Sequence, residues 1–416
     1  MYQAPRGTAD LLPDVQPYWS FVRSQAESVA RSFGYGRIDT PIFEDTGLFL
    51  RTVGEETDIV QKEMYSFKDR GDQDLTLRPE GTAPVCRAYL EQGMRSLAQP
   101  VRLFYTCPMF RYDRPQAGRY RQFHQFGVEA IGDGDAAVDV EVIQLAMEML
   151  GSLGLSDLTL VLNSIGDATD RPAYLNALRD YFSPHLDKLG ADDRRRFDTN
   201  PLRLLDSKDP AVQPLLENAP RSVDHLGGPA QEHWEQLKAY LKDVDVPYQE
   251  DHRLVRGLDY YTRTVFEIHP NVEGAQSAIC AGGRYDGLIE QLGGPSTPGI
   301  GFAAGIERMI LNLQRQGIEP PPDRRAPVVV AYRGDSAKSR GLQLTAALRS
   351  EGLTVILAPE RSLKAQMRYA SSVGASRVLI LGEAELAKDV VTLRDMAAGE
   401  QHEVPIADVG RHIVGT

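Results

Sequence analysis

Cysteine is scarce. The 416 residues hold three, Cys86, Cys107 and Cys280. Three thiols build neither a disulfide framework nor a four-cysteine zinc site. The eight histidines show no metal-ligand spacing, so a protein-bound zinc is not expected. No stretch approaches the run of about 18 apolar residues that a membrane span needs. The first residues, Met1-Tyr2-Gln3-Ala4-Pro5-Arg6, place no apolar run behind a basic start. A secretory signal is therefore not expected, and the cytoplasm is the expected address. Basic excess is missing as well: 46 Lys and Arg stand against 58 Asp and Glu, a net charge of −12. Such a chain is a poor generic binder of nucleic acid and would have to meet one through local basic surfaces.

Periodicity supplies the organisation. The length predicts two or three domains at about 150 residues each. Trp19, Val22, Ala26, Val29 and Phe33 recur at helical spacing, which predicts a helix over 14–33 stopped by Gly34 and Gly36. Residues 101–112 and 122–131 read as two strands around a basic loop punctuated by Pro115 and Gly118. Asp135 is placed to cap a helix that buries Val138, Val142, Leu145 and Met149. From 167 to 250 the texture turns polar and helix-prone, as in an inserted helical subdomain. Strands are expected at 262–268 and 276–281, then a glycine-rich stretch, then a helix near 303–316. Pro320-Pro321-Pro322-Asp323-Arg324-Arg325 has the composition of a linker. Beyond it, strands at 328–330, 353–358 and 376–381 alternate with helices at 336–351 and 361–374. That alternation predicts a small parallel α/β domain. From Ala326 onward, 11 basic residues meet 10 acidic ones, +1 against −13 for the remainder.

Phe110 to Glu129 is the unusual stretch. Arg111, Arg114, Arg119 and Arg121 surround Asp113, and guanidinium forks suit phosphate. Phe123 beside them is able to stack on a base. Strand alternation puts Arg121, Phe123 and Gln125 on one face, an expensive set for a plain core but a sensible lining for a polar pocket.

This stretch resembles motif 2 of the class II aminoacyl-tRNA synthetases. Gly299 to Arg308 resembles motif 3, Tyr35 to Pro41 has the shape of motif 1, and Leu77 to Thr82 resembles the strand after it. Leu254-Val255-Arg256-Gly257-Leu258-Asp259-Tyr260-Tyr261-Thr262 and Ala281-Gly282-Gly283-Arg284-Tyr285-Asp286-Gly287-Leu288 resemble the two signatures of the histidyl-tRNA synthetases. The resemblance spans nearly the whole chain. It implies an α+β catalytic domain, an antiparallel sheet flanked by helices, made from 1–166 and 251–319. A helical insertion would occupy 167–250, a linker 320–326, and an α/β anticodon-binding domain 327–416.

The resemblance also implies roles. Arg111 would bridge the histidine carboxylate and the α-phosphate of ATP, with Arg256 as the catalytic arginine beside it. Arg308 and Arg121 would take the γ-phosphate region and Phe123 the adenine. Asp113 stands where many relatives carry Glu in contact with the adenine amino group. Neutral imidazole offers one donor and one acceptor. Glu129, Tyr260 and Tyr261 supply the matching types, while Glu80, Thr82 and Gln125 supply acceptors for the α-ammonium. ATP with Mg2+, L-histidine and tRNA(His) are the implied substrates, and motif 1 implies a homodimer. His124 reads as structural, because strand alternation turns it away from the pocket side. In the C-terminal domain, Lys364 and Arg368 share a helical face, extended by Arg361 toward the helix start, as a surface for tRNA phosphates.

Three rivals remain at this level. One is the regulatory subunit of ATP phosphoribosyltransferase, which resembles the catalytic domain but lacks the anticodon-binding one. The others are a synthetase for another amino acid and an RNA-binding module without activity.

Overall fold

A computed structural model describes residues 2–54, 57–114, 118–271, 278–321 and 326–414. The chain divides into two compact units, 1–320 and 321–416. Residues 322–325 of the expected linker lie outside the described residues.

The first unit is built on strands β1 (Gly36–Arg37), β2 (Phe43–Asp45), β3 (Tyr65–Lys68), β4 (Asp74–Leu77), β5 (Val101–Phe110), β6 (Gln122–Ile131), β7 (Leu158–Ser164), β8 (Gln249–Glu250), β9 (Thr262–Pro270), β10 (Cys280–Arg284) and β11 (Gly299–Gly305). Eight of them form one sheet in the order β1-β5-β6-β11-β10-β9-β7-β8, and β2-β4-β3 form a small second sheet. The large sheet is antiparallel except at its two edges, where β1 runs parallel to β5 and β8 to β7.

Alternation gives that sheet two unlike faces. On β5 and β6, Phe104, Phe126 and Val128 turn to one side. There they pack against Trp19, Val22, Ala26 and Val29 of the helix Gln16–Ser32, and Val142, Ile143, Leu145 and Met149 of the helix Ala136–Ser152. Asp135 accepts from the Ala137 N–H and caps the second of these helices. The other face carries Tyr105, Phe123 and Gln125, and it opens onto a cavity.

Within 167–250, Tyr174, Leu178, Phe182, Leu204, Leu205 and Val212 form a core of their own. The helix Gly228–Asp243 behaves differently. It sends Trp234, Leu237 and Leu241 into the main core, and β8 after it pairs with β7.

Two expectations need correction here. Residues 303–305 belong to β11, so the helix begins at Ile306. Of the strand expected at 276–281, residues 276 and 277 lie outside the described residues, and β10 continues instead through Gly282 and Gly283 to Arg284. Glycine ordinarily breaks a strand pattern, whereas here it is what allows β10 and β11 to approach. A Cβ on Gly282 would overlap the Gly301 carbonyl and Phe302.

The second unit has one sheet of β12 (Val328–Tyr332), β13 (Val355–Leu357), β14 (Arg377–Leu381), β15 (Val390–Asp395) and β16 (Gln401–Pro405). Its order is β13-β12-β14-β15-β16. Only the first three are parallel; β15 and β16 add as an antiparallel pair, so the sheet is mixed. The helices Asp335–Ser350 and Leu363–Ser372 cover its two faces. Leu344 and Leu348 meet Val328 and Val330 on one side, and Ala370 meets Val329 and Ala331 on the other.

Candidate active site

The cavity measures about 490 Å³ and opens on the face of the large sheet that carries Tyr105, Phe123 and Gln125. Its floor is small by sequence: Ala281, Gly301, Ala303 and Gly305 of β10 and β11 line it. Larger side chains there would fill the space that a ligand needs.

Four arginines converge on one part of this cavity: Arg111, Arg119, Arg256 and Arg308. Arg111 follows β5, donates its Nε–H to the Pro79 carbonyl at 2.8 Å and lies 5.5 Å over the Phe123 ring. Arg308, on the first turns of the helix Ile306–Arg315, donates to the Ala278 carbonyl at 2.7 Å. Burial lowers the pKa of Arg308, and the nearby charges of Arg119, Arg111 and Arg256 lower it further. Burial likewise lowers that of Arg111. Crowded cations of this kind call for an anion.

A second part of the cavity is hydroxyl-rich. Glu80 accepts from the Thr82 and Ala83 N–H groups at 2.7 and 3.0 Å, so it caps the helix Thr82–Glu91 while lining the cavity. The Gln125 Oε1 is buried and has no partner among the described residues. Tyr260 and Tyr261 stand with ring centroids 4.7 Å apart, and Tyr285 lies 6.0 Å from Tyr260.

Glu129 sits behind that wall with no exposed surface. Three hydroxyls donate to its carboxylate: Thr82 at 2.8 Å and Tyr105 at 3.2 Å to Oε1, and Tyr285 at 2.6 Å to Oε2. Burial pushes its carboxyl up to about 8, against the opposing pull of those hydrogen bonds. The two tyrosines are wedged in place by glycine. A Cβ on Gly81 or Gly127 would overlap the Tyr105 ring, and one on Gly299 the Tyr285 ring.

A match to family models decides what this arrangement belongs to. Residues 7–309 match the model of histidyl-tRNA synthetase, and 327–415 that of an anticodon binding domain. The chain belongs to the histidyl-tRNA synthetase family. A histidine–tRNA ligase of Dehalococcoides mccartyi is 56% identical over 407 residues, covering 98% of this chain and 97% of the relative. One of Geobacillus thermodenitrificans is 48% identical over 99% of this chain and 98% of the relative. Among solved structures, apo histidyl-tRNA synthetase of S. aureus superposes with a TM-score of 0.83 at 40% identity, over 99% of both chains. The large antiparallel-rich sheet flanked by helices is the class II synthetase fold, and the second unit is its anticodon-binding domain.

Set against the synthetase motifs, the cavity gathers Glu80, Thr82, Arg111, Asp113, Phe123, Gln125, Arg256, Tyr260, Tyr261 and Arg308. Arg121 is not among the lining residues. It precedes β6, where strand alternation does not yet hold, and lays its guanidinium over Tyr112 at 3.7 Å. Arg119 lines the cavity instead and reaches Asp113 at 3.4 Å. Asp113 also accepts from the Arg114 N–H at 2.6 Å. His124 faces the opposite side: its ring meets the edge of Trp19 and its Nδ1 pairs with Glu307 at 2.9 Å.

Sequence reasoning misses Tyr105, Tyr285 and Glu267, along with Arg196, Arg203 and Lys208, which reach the cavity from the insertion, and it names Arg119 only as one of the loop's phosphate-suited arginines. Tyr285 sits inside a histidyl signature and Arg119 inside motif 2, so both carry a signal. Glu267 has only its place in a strand. Arg361 precedes the helix Leu363–Ser372 and therefore does not extend its face; Lys364 and Arg368 are exposed on that helix. Among the described residues no helix is long and apolar enough to cross a membrane, and no three His, Cys, Asp or Glu side chains are grouped to hold a metal.

Proposed function

We propose that the protein ligates L-histidine to tRNA(His) in two steps through histidyl-adenylate, with the residues of this cavity as its machinery. The carrying observation is the convergence of Arg111, Arg119, Arg256 and Arg308 on a cavity that also holds Glu80, Thr82, Gln125, Tyr260 and Tyr261. A carboxylate oxygen of histidine attacks the α-phosphorus of ATP, and the bond to pyrophosphate breaks. Both reactants are anionic, so the barrier is electrostatic and orientational. Arg111 and Arg256 neutralise the carboxylate and α-phosphate where charge gathers. Arg308 and Arg119 hold the outer phosphates, Phe123 takes the adenine, and Mg2+ enters with ATP as part of the substrate. Asp113 is the candidate partner of the adenine amino group.

At the other end, the free Oε1 of Gln125 and the Glu80 carboxylate receive the α-ammonium, with Thr82 beside them. Glu129 and the Tyr260–Tyr261 pair read the imidazole as one donor and one acceptor. The 3′-terminal ribose of the tRNA, through its 3′-hydroxyl, then attacks the adenylate carbonyl and releases AMP. Lys364, Arg368 and Arg361 offer the second unit's contacts to tRNA phosphates.

The cytoplasm is the proposed location and a homodimer the proposed assembly. Exposed Ile42, Phe43, Leu50 and Phe67, on and beside the β2-β4-β3 sheet, support the assembly. The regulatory-subunit reading is disfavoured by the anticodon-binding domain and by the full set of phosphate-directed arginines.

Arg256→Ala tests the assignment. ATP–pyrophosphate exchange should fall about 10²–10³-fold, the usual cost of one transition-state charge donor, while histidine binding falls less. A rate within a few-fold of wild type would contradict it.

A further inference from the structure

Arg256 comes from the segment between β8 and β9, with no regular element to hold it. A long side chain on a loop has rotamer freedom to lose before it can act. Here its Nη1 donates to Oε1 of Glu267, and its guanidinium lies 5.8 Å from the Tyr261 ring. Its Nε is buried without a partner among the described residues. Glu267 stands on β9 with Ala281 and Val161 as cross-strand neighbours, an acid beside the alanine and glycine floor of an anion site. Acid in that place opposes ATP unless it serves something else. Its second oxygen, Oε2, accepts from His269 Nε2 at 2.8 Å, two residues along and so on the same face. Burial raises the Glu267 carboxyl, but Arg256 and His269 outweigh burial and hold it below its ordinary value.

We propose that Glu267, steadied by His269, is the positioning residue for Arg256, fixing one edge of its guanidinium so that the other faces the α-phosphate. This rests on the adenylation role given to Arg256 above. A carboxylate shared between two donors has its plane fixed at both oxygens, and that plane sets the plane of the fork.

The test is a double-mutant cycle in ATP–pyrophosphate exchange with the full chain. Glu267→Gln conserves volume and weakens only the charge-assisted contact. It should lower kcat about tenfold or more, since small misplacements at a reacting centre are costly, with the histidine KM within about twofold. Arg256→Ala/Glu267→Gln should be no slower than Arg256→Ala alone, because the effect of Glu267 passes through Arg256. His269→Phe should cost several-fold in kcat, and nothing further once Glu267 is Gln. A Glu267→Gln enzyme with unchanged kcat and a lowered KM for ATP would overturn the proposal, as would losses that multiply in the double mutant. Unchanged kcat in His269→Phe would remove His269 from it. If Arg256→Ala itself exchanges normally, the adenylation role fails and the proposal with it; loss in Arg256→Ala with none in Glu267→Gln defeats the proposal alone.

Discussion

At the scale of single residues, the proposed selection of histidine turns on how few lone pairs Glu129 has left. A carboxylate offers about four acceptor sites, and Thr82, Tyr105 and Tyr285 fill three of them. Once the carboxyl is ionised, the remaining site, on Oε2, suits one N–H. Tyr285→Phe should therefore raise the histidine KM about tenfold with a smaller change in the ATP KM, by leaving the carboxylate free to turn. Equal KM values in mutant and wild type would remove Tyr285 from histidine selection. The same carboxyl predicts a pH dependence of stability. Its folded value of about 8 lies above the ordinary 4.5. The native state thus keeps a proton that the unfolded chain releases, so stability present below the ordinary value is lost as pH rises through about 8. Melting temperature should fall between pH 5 and 8, and Glu129→Gln should fall less over that window. Parallel curves would contradict the raised value.

Much of this residue set is legible in the sequence, because Arg111, Gln125, Arg256, Tyr260 and Tyr261 sit in runs whose order is itself the signal. Tyr105 is not, because it meets Glu129 only through the pairing of β5 with β6, which sets Tyr105 opposite Gly127. Arg121 and Arg119 trade places for a similar reason: period-2 alternation does not reach back before the strand begins.

At the scale of elements, β10 and β11 make the site possible by what they omit. Gly301 stands opposite Glu129 across the sheet, and a Cβ on it would overlap Glu129 Oε2 and the Val128 carbonyl. Gly301→Ala should cost about 1–3 kcal/mol of stability, as overpacking does, and weaken histidine binding more than ATP binding. A variant with wild-type melting and wild-type histidine KM would show that the pocket has room the structure does not give it. Helix positions are readable where apolar periodicity is strong, as in the helix Gln16–Ser32. Glycine-rich strands carry no such periodicity, so pattern alone starts the helix at Ile306 too early. The β15–β16 pair escapes for another reason: strand-helix alternation favours a parallel sheet, and an antiparallel edge is set by pairing that no local pattern announces.

At the scale of the whole molecule, two units have separate cores, with the chemistry proposed for the first and tRNA binding for the second. A chain ending at Arg325 should still form histidyl-adenylate yet charge tRNA poorly, chiefly through a raised KM for tRNA. In the full chain, replacing Lys364 and Arg368 with Ala should weaken tRNA binding and flatten its salt dependence by about 0.7–0.9 log units for each phosphate no longer neutralised. A truncated enzyme with a wild-type KM for tRNA would contradict that division. Beneath all of this lies one requirement, that a single cavity activates histidine with ATP. ATP–pyrophosphate exchange, measured with each of the twenty amino acids in turn, should be stimulated by histidine alone; stimulation by none, or by another amino acid instead, would contradict it.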